Sequence, residues 1–352
     1  MSHVSTALVP KQHIEWEWKS NDNVWSFEES EKWTPYCDID SAIIEEAFQE
    51  KLPEAILDDY HIVFEQLRQI SNNDEMSQRP VRRSVNKRTT QSGRLREERF
   101  VASAVAPETS FGLPSNCQFL EEACQQNLGL SYDEAGDPAL LSAIVEKAAE
   151  GIVIEGKKAS KQKRAEWMAQ KLLSVKKGTR KEVAECCAEL YSHDSFLYRK
   201  LNESMRLQTD KLNTQHQKLW RMKARTLGLF AFLLEMLPNP LTDKKMTVYR
   251  GADFSESLID QYRQSAGDWS KGLCFLAFSS TSRSRDKAEF SAGNILFILD
   301  INEDEGRDVA PYSTFDEEET LLIPPFFFSI QSCQFDKIIN KWIIHLRSHR
   351  SY

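Results

Sequence analysis

The residues best placed to do chemistry lie in one stretch, from Ser313 to Pro325, where Asp316, Glu317, Glu318 and Glu319 run directly into Thr320-Leu321-Leu322-Ile323. The apolar part reads as a buried strand, ended by Pro324 and Pro325. Three adjacent glutamates repel one another and resist burial, so a purely structural strand has little use for them. If the segment is extended, Glu317 and Glu319 project from one face, because side chains alternate with period 2. A carboxylate held there could steady a developing cation. The same residues could equally form a solvated acidic loop before a core strand, and the stretch alone leaves both readings open.

Two further clusters lie upstream. Lys245 to Gly251 is a β-patterned run that delivers Arg250 and Gly251 at its end. Gly272 to Phe278 reads as a strand ending in Ser279-Ser280-Thr281-Ser282. Singly these are ordinary, since Ser and Thr are common in loops.

Elements able to hold such groups are legible around them. A helix spans Ser255 to Arg263, Asp286 to Phe290 is a short helix, and Asn294 to Asp300 is a core strand. Phe326 to Ile330 and Lys337 to Leu346 finish the sheet. Before them the chain is helical: Cys117 to Gly129, Pro138 onward, a Lys/Arg-rich amphipathic run between Lys157 and Lys181, then Val183 to Tyr191 and Arg199 to Arg206. Leu227 to Leu237 is apolar enough to require burial, and Pro238 and Pro240 stop it. Helices followed by strands imply an α+β domain with segregated layers rather than βαβ alternation.

Composition sets the outer bounds. With 352 residues, 41% hydrophobic, the chain can hold two domains with real cores. A net charge of -8 argues against a general nucleic-acid binder. No apolar run has signal-peptide or membrane-spanning length, so the expected location is intracellular, cytoplasmic or nuclear. Seven cysteines without CxxC pairing and seven dispersed histidines give no metal-like spacing, so reduced thiols and no metal are expected.

The N-terminal part, residues 11–88, is dense in aromatics. EWEWKS (Glu15 to Ser20) alternates like a half-exposed strand, and Asn21-Asp22-Asn23 could turn it into a second strand over Val24 to Phe27. Ser41 is placed to cap a helix bearing Ile43, Ile44, Ala47 and Phe48. Asp59 to Leu67 alternates again, and Arg79 to Arg83 is a basic edge. The module is a small antiparallel sheet packed on one helix. In the EWEW strand, Trp33 to Tyr36, Glu45 to Phe48, Tyr60 to Gln69 and Arg79 to Arg83, it resembles the WWE domain, with a longer acidic connection (Glu28 to Lys32) as its departure. Many WWE domains bind the iso-ADP-ribose unit of poly(ADP-ribose), and some bind protein partners. The resemblance implies a pocket of Tyr60, Gln69 and Arg79, with Tyr36 or Trp33 as walls. Aromatic faces suit a purine and a guanidinium suits phosphate. Structural core is the competing role for the aromatics, above all for Trp25 and Trp33. Residues 89–135 read as a partly helical linker, basic from Lys87 to Arg96.

In order, Arg250-Gly251, Ser280-Thr281-Ser282 and Glu317-x-Glu319 running into Leu321-Leu322 resemble the mono-ADP-ribosyltransferases of the Arg-Ser-Glu class. The resemblance covers about 180–352, within a domain placed at 136–352, and Leu190 to Arg206 is similar to that family's helical lead-in. It implies a helical N-terminal part followed by a split, mixed and antiparallel β-sandwich core. Thr320 stands where the family often has Val. Polymerase-type catalytic domains, which also accompany WWE modules, use His-Gly where this chain has Arg250-Gly251.

The implied activity is transfer of ADP-ribose from NAD, used as substrate without a metal, to a protein side chain. Cleavage of the nicotinamide–ribose bond passes through an oxocarbenium-like species that a carboxylate stabilises. By resemblance Glu319 supports that cation and bonds the ribose, Arg250 grips a phosphate, and Ser280 positions the ribose, with Gly251, Thr281 and Ser282 also at the NAD site. Glu317 orients or deprotonates the acceptor, and an acidic residue there goes with arginine. Tyr312 to Phe315 corresponds to the substrate-contacting turn. NAD hydrolysis, and a silent reader of ADP-ribose built on the same fold, are the alternatives.

Overall fold

The computed structural model describes residues 13–25, 30–86, 117–239, 244–268, 273–290, 293–313, 315 and 317–349. Residues 89–116 of the linker read at 89–135 lie outside them, as do Ser26, Phe27, Lys87, Arg88, Gly272, Thr314 and Asp316. The chain divides into two compact units, one of Met1–Gly93 with Ser160–Arg164, the other of Arg94–Ala159 with Ala165–Tyr352.

In the first unit the strands are β1 (His13–Lys19), β2 (Trp33–Pro35), β3 (Glu54–Ile56), β4 (Tyr60–Val63), β5 (Arg68–Ser71) and β6 (Gln78–Asn86), with helix α1 (Asp38–Gln49). The sheet order is β2-β1-β6-β5-β4-β3, antiparallel throughout. Trp16, Ile44, Leu57 and Ile62 form its core. Two expectations need correction. The second strand is not at Val24, because buried Asn21 donates to the Ser30 carbonyl and accepts from the Lys32 amide, carrying the chain on to Trp33. Trp25 instead stands half exposed beneath the Arg68 guanidinium. Nor does Ser41 cap α1: the helix begins at Asp38, where Asp38 and Asp40 complement its positive end, and the Ser41 hydroxyl accepts from the Trp16 amide.

The second unit begins helical, with α2 (Gln118–Leu128), α3 (Tyr132–Ala135), α4 (Leu141–Lys158), α5 (Gln162–Ser174), α6 (Arg180–Ser192), α7 (Phe196–Arg206) and α8 (Thr214–Glu235). The apolar run at Leu227 is the end of α8, a 22-residue helix. Gly228 lets α8 approach α2, since a Cβ there would lie 2.2 Å from that of Ala123.

Strands β7 (Lys245–Ala252), β8 (Leu273–Phe275), β9 (Ser279–Ser282), β10 (Ile295–Asn302), β11 (Gly306–Asp308), β12 (Glu319–Leu322), β13 (Phe326–Asp336) and β14 (Lys341–Ser348) follow, with helices α9 (Glu256–Ser265) and α10 (Arg285–Glu289) between them. The order is β11-β12-β9-β7-β10-β14-β13-β8, mixed because β10 and β14 run parallel. β7 meets β9 at the residue pair Tyr249–Ser282, a narrow joint that divides the sheet into a three-stranded and a five-stranded part. Val248, Phe297, Leu299, Phe328 and Ile344 are the core of the larger part. The α+β class with a mixed second sheet is the one expected from the sequence.

Candidate active site

Strand β9 is the surprise of local structure. Four hydroxyl residues read as loop material, yet they form a strand because β12 supplies a partner. Glu319 stands opposite Ser282, Thr320 opposite Thr281, Leu321 opposite Ser280. Directly opposed residues share a face, so Glu319, Ser280 and Ser282 belong to one face, and Thr281 and Thr320 to the other. Two of the four hydroxyls are spent on the adjoining segment: Thr281 Oγ1 donates to the Thr320 carbonyl at 2.6 Å, and Ser282 Oγ to the Glu317 carbonyl at 2.6 Å.

Arg250 reaches the same place from β7. It lies inside the strand, which continues to Ala252, next to the Tyr249–Ser282 pair, and its Nη1 donates to the Ser280 carbonyl at 2.7 Å. Gly251 follows, buried opposite Leu296. Three strands thus bring Arg250, Ser280, Ser282 and Glu319 together.

Glu317 and Glu319 are both fully buried, at 0% exposure. That excludes the solvated-loop alternative for these two residues. Their common placement does not come from strand alternation, however. β12 starts only at Glu319, and Glu318 has φ 47°, the left-handed region, so the chain turns between the two. Glu318 points outward, its carboxylate 2.9 Å from Lys287 Nζ and its carbonyl accepting from the Arg283 amide. The register puts Glu319, not Glu318, opposite Ser282. Ahead of them a single 3-10 turn, Ala310–Tyr312, leads into the stretch, and Tyr312 donates its hydroxyl to Glu185 Oε1 on α6 at 2.8 Å.

One cation of interest escaped the sequence reading. Arg206 closes α7, and no carboxylate among the described residues pairs with it. Burial presses its guanidinium below the ordinary value, against the opposing pull of nearby Tyr191 and Glu203. Tyr191 packs on Phe278, the residue before Ser279, with ring centroids 5.8 Å apart. The signal was available: Asn202 and Arg206 are four apart, on one face of α7, and Asn202 is buried with its amide donating to Tyr191. A cavity of about 770 Å³ is lined by Tyr132, Trp220, Glu235 and Pro324 among others and by none of the expected catalytic residues. A smaller one, about 340 Å³, borders Tyr312, Glu185 and Trp167. Among the described residues no group of acidic, His or Cys side chains could hold a metal ion.

In the first unit the four residues expected at the other site lie near one another. Tyr36 donates its hydroxyl to Gln69 Oε1 at 2.7 Å, Gln69 lies opposite Arg79 across β5 and β6, and the Tyr36 and Tyr60 rings are 5.7 Å apart. Arg79 stacks over Trp18 and donates to the Lys19 and Asn21 carbonyls. Tyr60 donates to buried Asp40, which also takes a two-pronged contact from Arg164. Burial first, then the neighbouring phenol or carboxylate, pushes both tyrosine hydroxyls well above their usual range. Trp16 has a structural part instead: its indole donates to Glu45, whose carboxylate is also gripped by Arg83 at 2.8 Å. Burial raises the Glu45 carboxyl, but these hydrogen bonds outweigh it and hold it below the ordinary range.

Comparison with known proteins places the two units. A family model described as NAD:arginine ADP-ribosyltransferase matches residues 149–351, and one described as WWE domain matches 14–83. Among solved structures the chain is similar to the type III effector XopAI from Xanthomonas axonopodis pv. citri, with 13% identity over 66% of this chain and 96% of that one and a TM-score of 0.43. It is similar also to Exoenzyme S from Pseudomonas aeruginosa in complex with human 14-3-3 protein beta and carba-NAD (17% identity, 58% and 88% covered, TM-score 0.38). A third likeness is to Vis toxin, an ADP-ribosyltransferase from Vibrio splendidus (22% identity, 59% and 85% covered, TM-score 0.36). No curated protein matches the chain.

Proposed function

Because the chain belongs to the NAD:arginine ADP-ribosyltransferase family and carries a WWE domain ahead of that part, we propose that it transfers ADP-ribose from NAD to arginine side chains of proteins. Use of NAD as substrate comes with the family. The arginine acceptor and the roles below are our reading. The observation that carries it is the burial of two carboxylates, Glu317 and Glu319, beside Ser280, Ser282 and Arg250.

The chemistry assigns each residue a task. As the nicotinamide–ribose bond breaks, nicotinamide leaves with the electron pair and positive charge develops on the ribose. Glu319 faces that charge and bonds the ribose hydroxyl, in a buried site where a carboxylate acts with little screening. Arg250 and Arg206 hold the diphosphate, Arg250 with a fork that a lysine could not reproduce. Ser280 sets the ribose. Glu317 binds the acceptor guanidinium and takes its proton as the new nitrogen–carbon bond forms, which a carboxylate suits by charge and shape. The first unit, through Tyr36, Tyr60, Gln69 and Arg79, takes an ADP-ribose-containing ligand.

The test is incubation with labelled NAD and a mixed set of acceptor proteins, followed by mapping of the modified residue. Label on arginine is expected. Label confined to other side chains overturns the arginine acceptor, and free ADP-ribose alone makes the chain an NAD hydrolase.

A further inference from the structure

Tyr312 and Glu185 form a tie that none of the roles above uses. The turn Ala310–Tyr312 stands five residues ahead of Glu317, and its base is held locally: the Val309 amide donates to the Glu319 carbonyl at 3.2 Å, the Tyr312 amide to the Val309 carbonyl at 3.1 Å, and the Ala310 amide to Asp308 Oδ1 at 3.2 Å. Its tip is held by a side chain from another element. Tyr312 donates its hydroxyl to Glu185 Oε1 at 2.8 Å, midway along α6. Lys181, one turn back on the helix, stays 3.9 Å from that carboxylate and mostly exposed, so it competes weakly. The phenol is pushed up to about 12 by burial and by Glu185, which keeps the hydrogen on Tyr312 throughout the neutral range. Beyond the turn, Ser313 Oγ accepts from the Phe315 amide, and Ser282 Oγ donates to the Glu317 carbonyl. Tyr312 thus lies five residues from Glu317, and Phe315 and Glu317 between and beyond are each tied by a hydrogen bond.

We propose that Glu185 is a positioning residue for the acceptor step: by holding Tyr312 it sets the turn that presents the acceptor to Glu317. This rests on the assignment of Glu317 to the acceptor. Among the described residues Glu185 makes no bond to the strands carrying Arg250, Ser280 and Glu319, so its loss acts on transfer and not on cleavage of NAD.

The experiment compares wild type with E185A, E185Q, Y312F and the E185A/Y312F double variant, using NAD with agmatine as a small guanidine acceptor. E185A is expected to raise the acceptor KM about tenfold, the size of losing one hydrogen bond to a charged group. Its nicotinamide release without acceptor stays within about twofold of wild type, a margin small beside that loss. E185Q keeps most of the wild-type behaviour, because its amide oxygen accepts the same O–H. The double variant is no worse than the worse single one, since both remove one tie. Hydrogen exchange at peptides containing Tyr312 speeds up in E185A but not in E185Q. An unchanged acceptor KM in E185A, a parallel fall in nicotinamide release, or damage from E185Q equal to that from E185A overturns the inference alone. A wild-type chain that frees nicotinamide but labels no guanidine overturns the acceptor reading, and this inference with it.

Discussion

Burying a carboxylate costs free energy unless partners return it, and Glu317 and Glu319 are buried as completely as any core leucine. Their neighbour Glu318 meets the same constraint by leaving: at φ 47° it turns out to Lys287 and avoids a third buried charge. Thr320, next along, is an ordinary imperfection. Its Oγ1 is buried and has no hydrogen-bond partner among the described residues, while its backbone carbonyl serves Thr281. Thr320→Val removes the orphaned hydroxyl and keeps the shape, so we expect a gain of about 1 kcal/mol and a melting temperature a few degrees higher. Calorimetry of the two proteins decides this. A loss of stability would mean that the hydroxyl has a partner in solution.

At the scale of elements, the close approach of α4 and α8 is set by a missing side chain. A Cβ on Gly151 would lie 1.8 Å from the Thr226 carbonyl oxygen, a contact that only backbone movement can relieve. One turn on, buried Glu155 bonds Lys223, Lys158 and Thr226 and fixes the register of the pair. Gly151→Ala should therefore cost about 3 kcal/mol despite alanine's better helix propensity, as measured by urea unfolding. A change within about 0.5 kcal/mol would show that the helices separate freely. The same contrast governs what the sequence could disclose. Strands β7 and β10, the helical lead-in and the order Arg250, Ser280, Glu319 were legible because apolar patterning and motif order are local. Strand β9 was not, since Ser and Thr have no periodic signal and only pairing with β12 makes them a strand. The left-handed Glu318, the long excursion around Asn21 and the Glu185–Tyr312 bond depend on partners distant in sequence, which periodicity does not register. Arg206 was within reach, as a polar residue in register with buried Asn202, but that no described carboxylate pairs with it is a tertiary fact.

For the whole molecule, a WWE domain precedes a transferase domain whose product chemistry is ADP-ribose on protein, and no described helix is long and apolar enough to cross a membrane. If the first unit reads ADP-ribose, calorimetric titration with iso-ADP-ribose should give saturable binding. Gln69→Ala should weaken it about tenfold by removing one hydrogen bond to the pocket and freeing the Tyr36 hydroxyl. No heat with the wild-type chain would instead assign that unit to a protein partner. The central claim is narrower: two buried glutamates two residues apart divide cleavage from transfer. It is tested most directly by measuring nicotinamide release and arginine labelling side by side in Glu319→Gln and Glu317→Gln. Glu319→Gln should lose both by at least about a hundredfold, as expected for removing charge at a developing cation, while still binding NAD. Glu317→Gln should lose labelling and still free nicotinamide. Equal loss of both activities in the two variants, or full activity in Glu319→Gln, would contradict it.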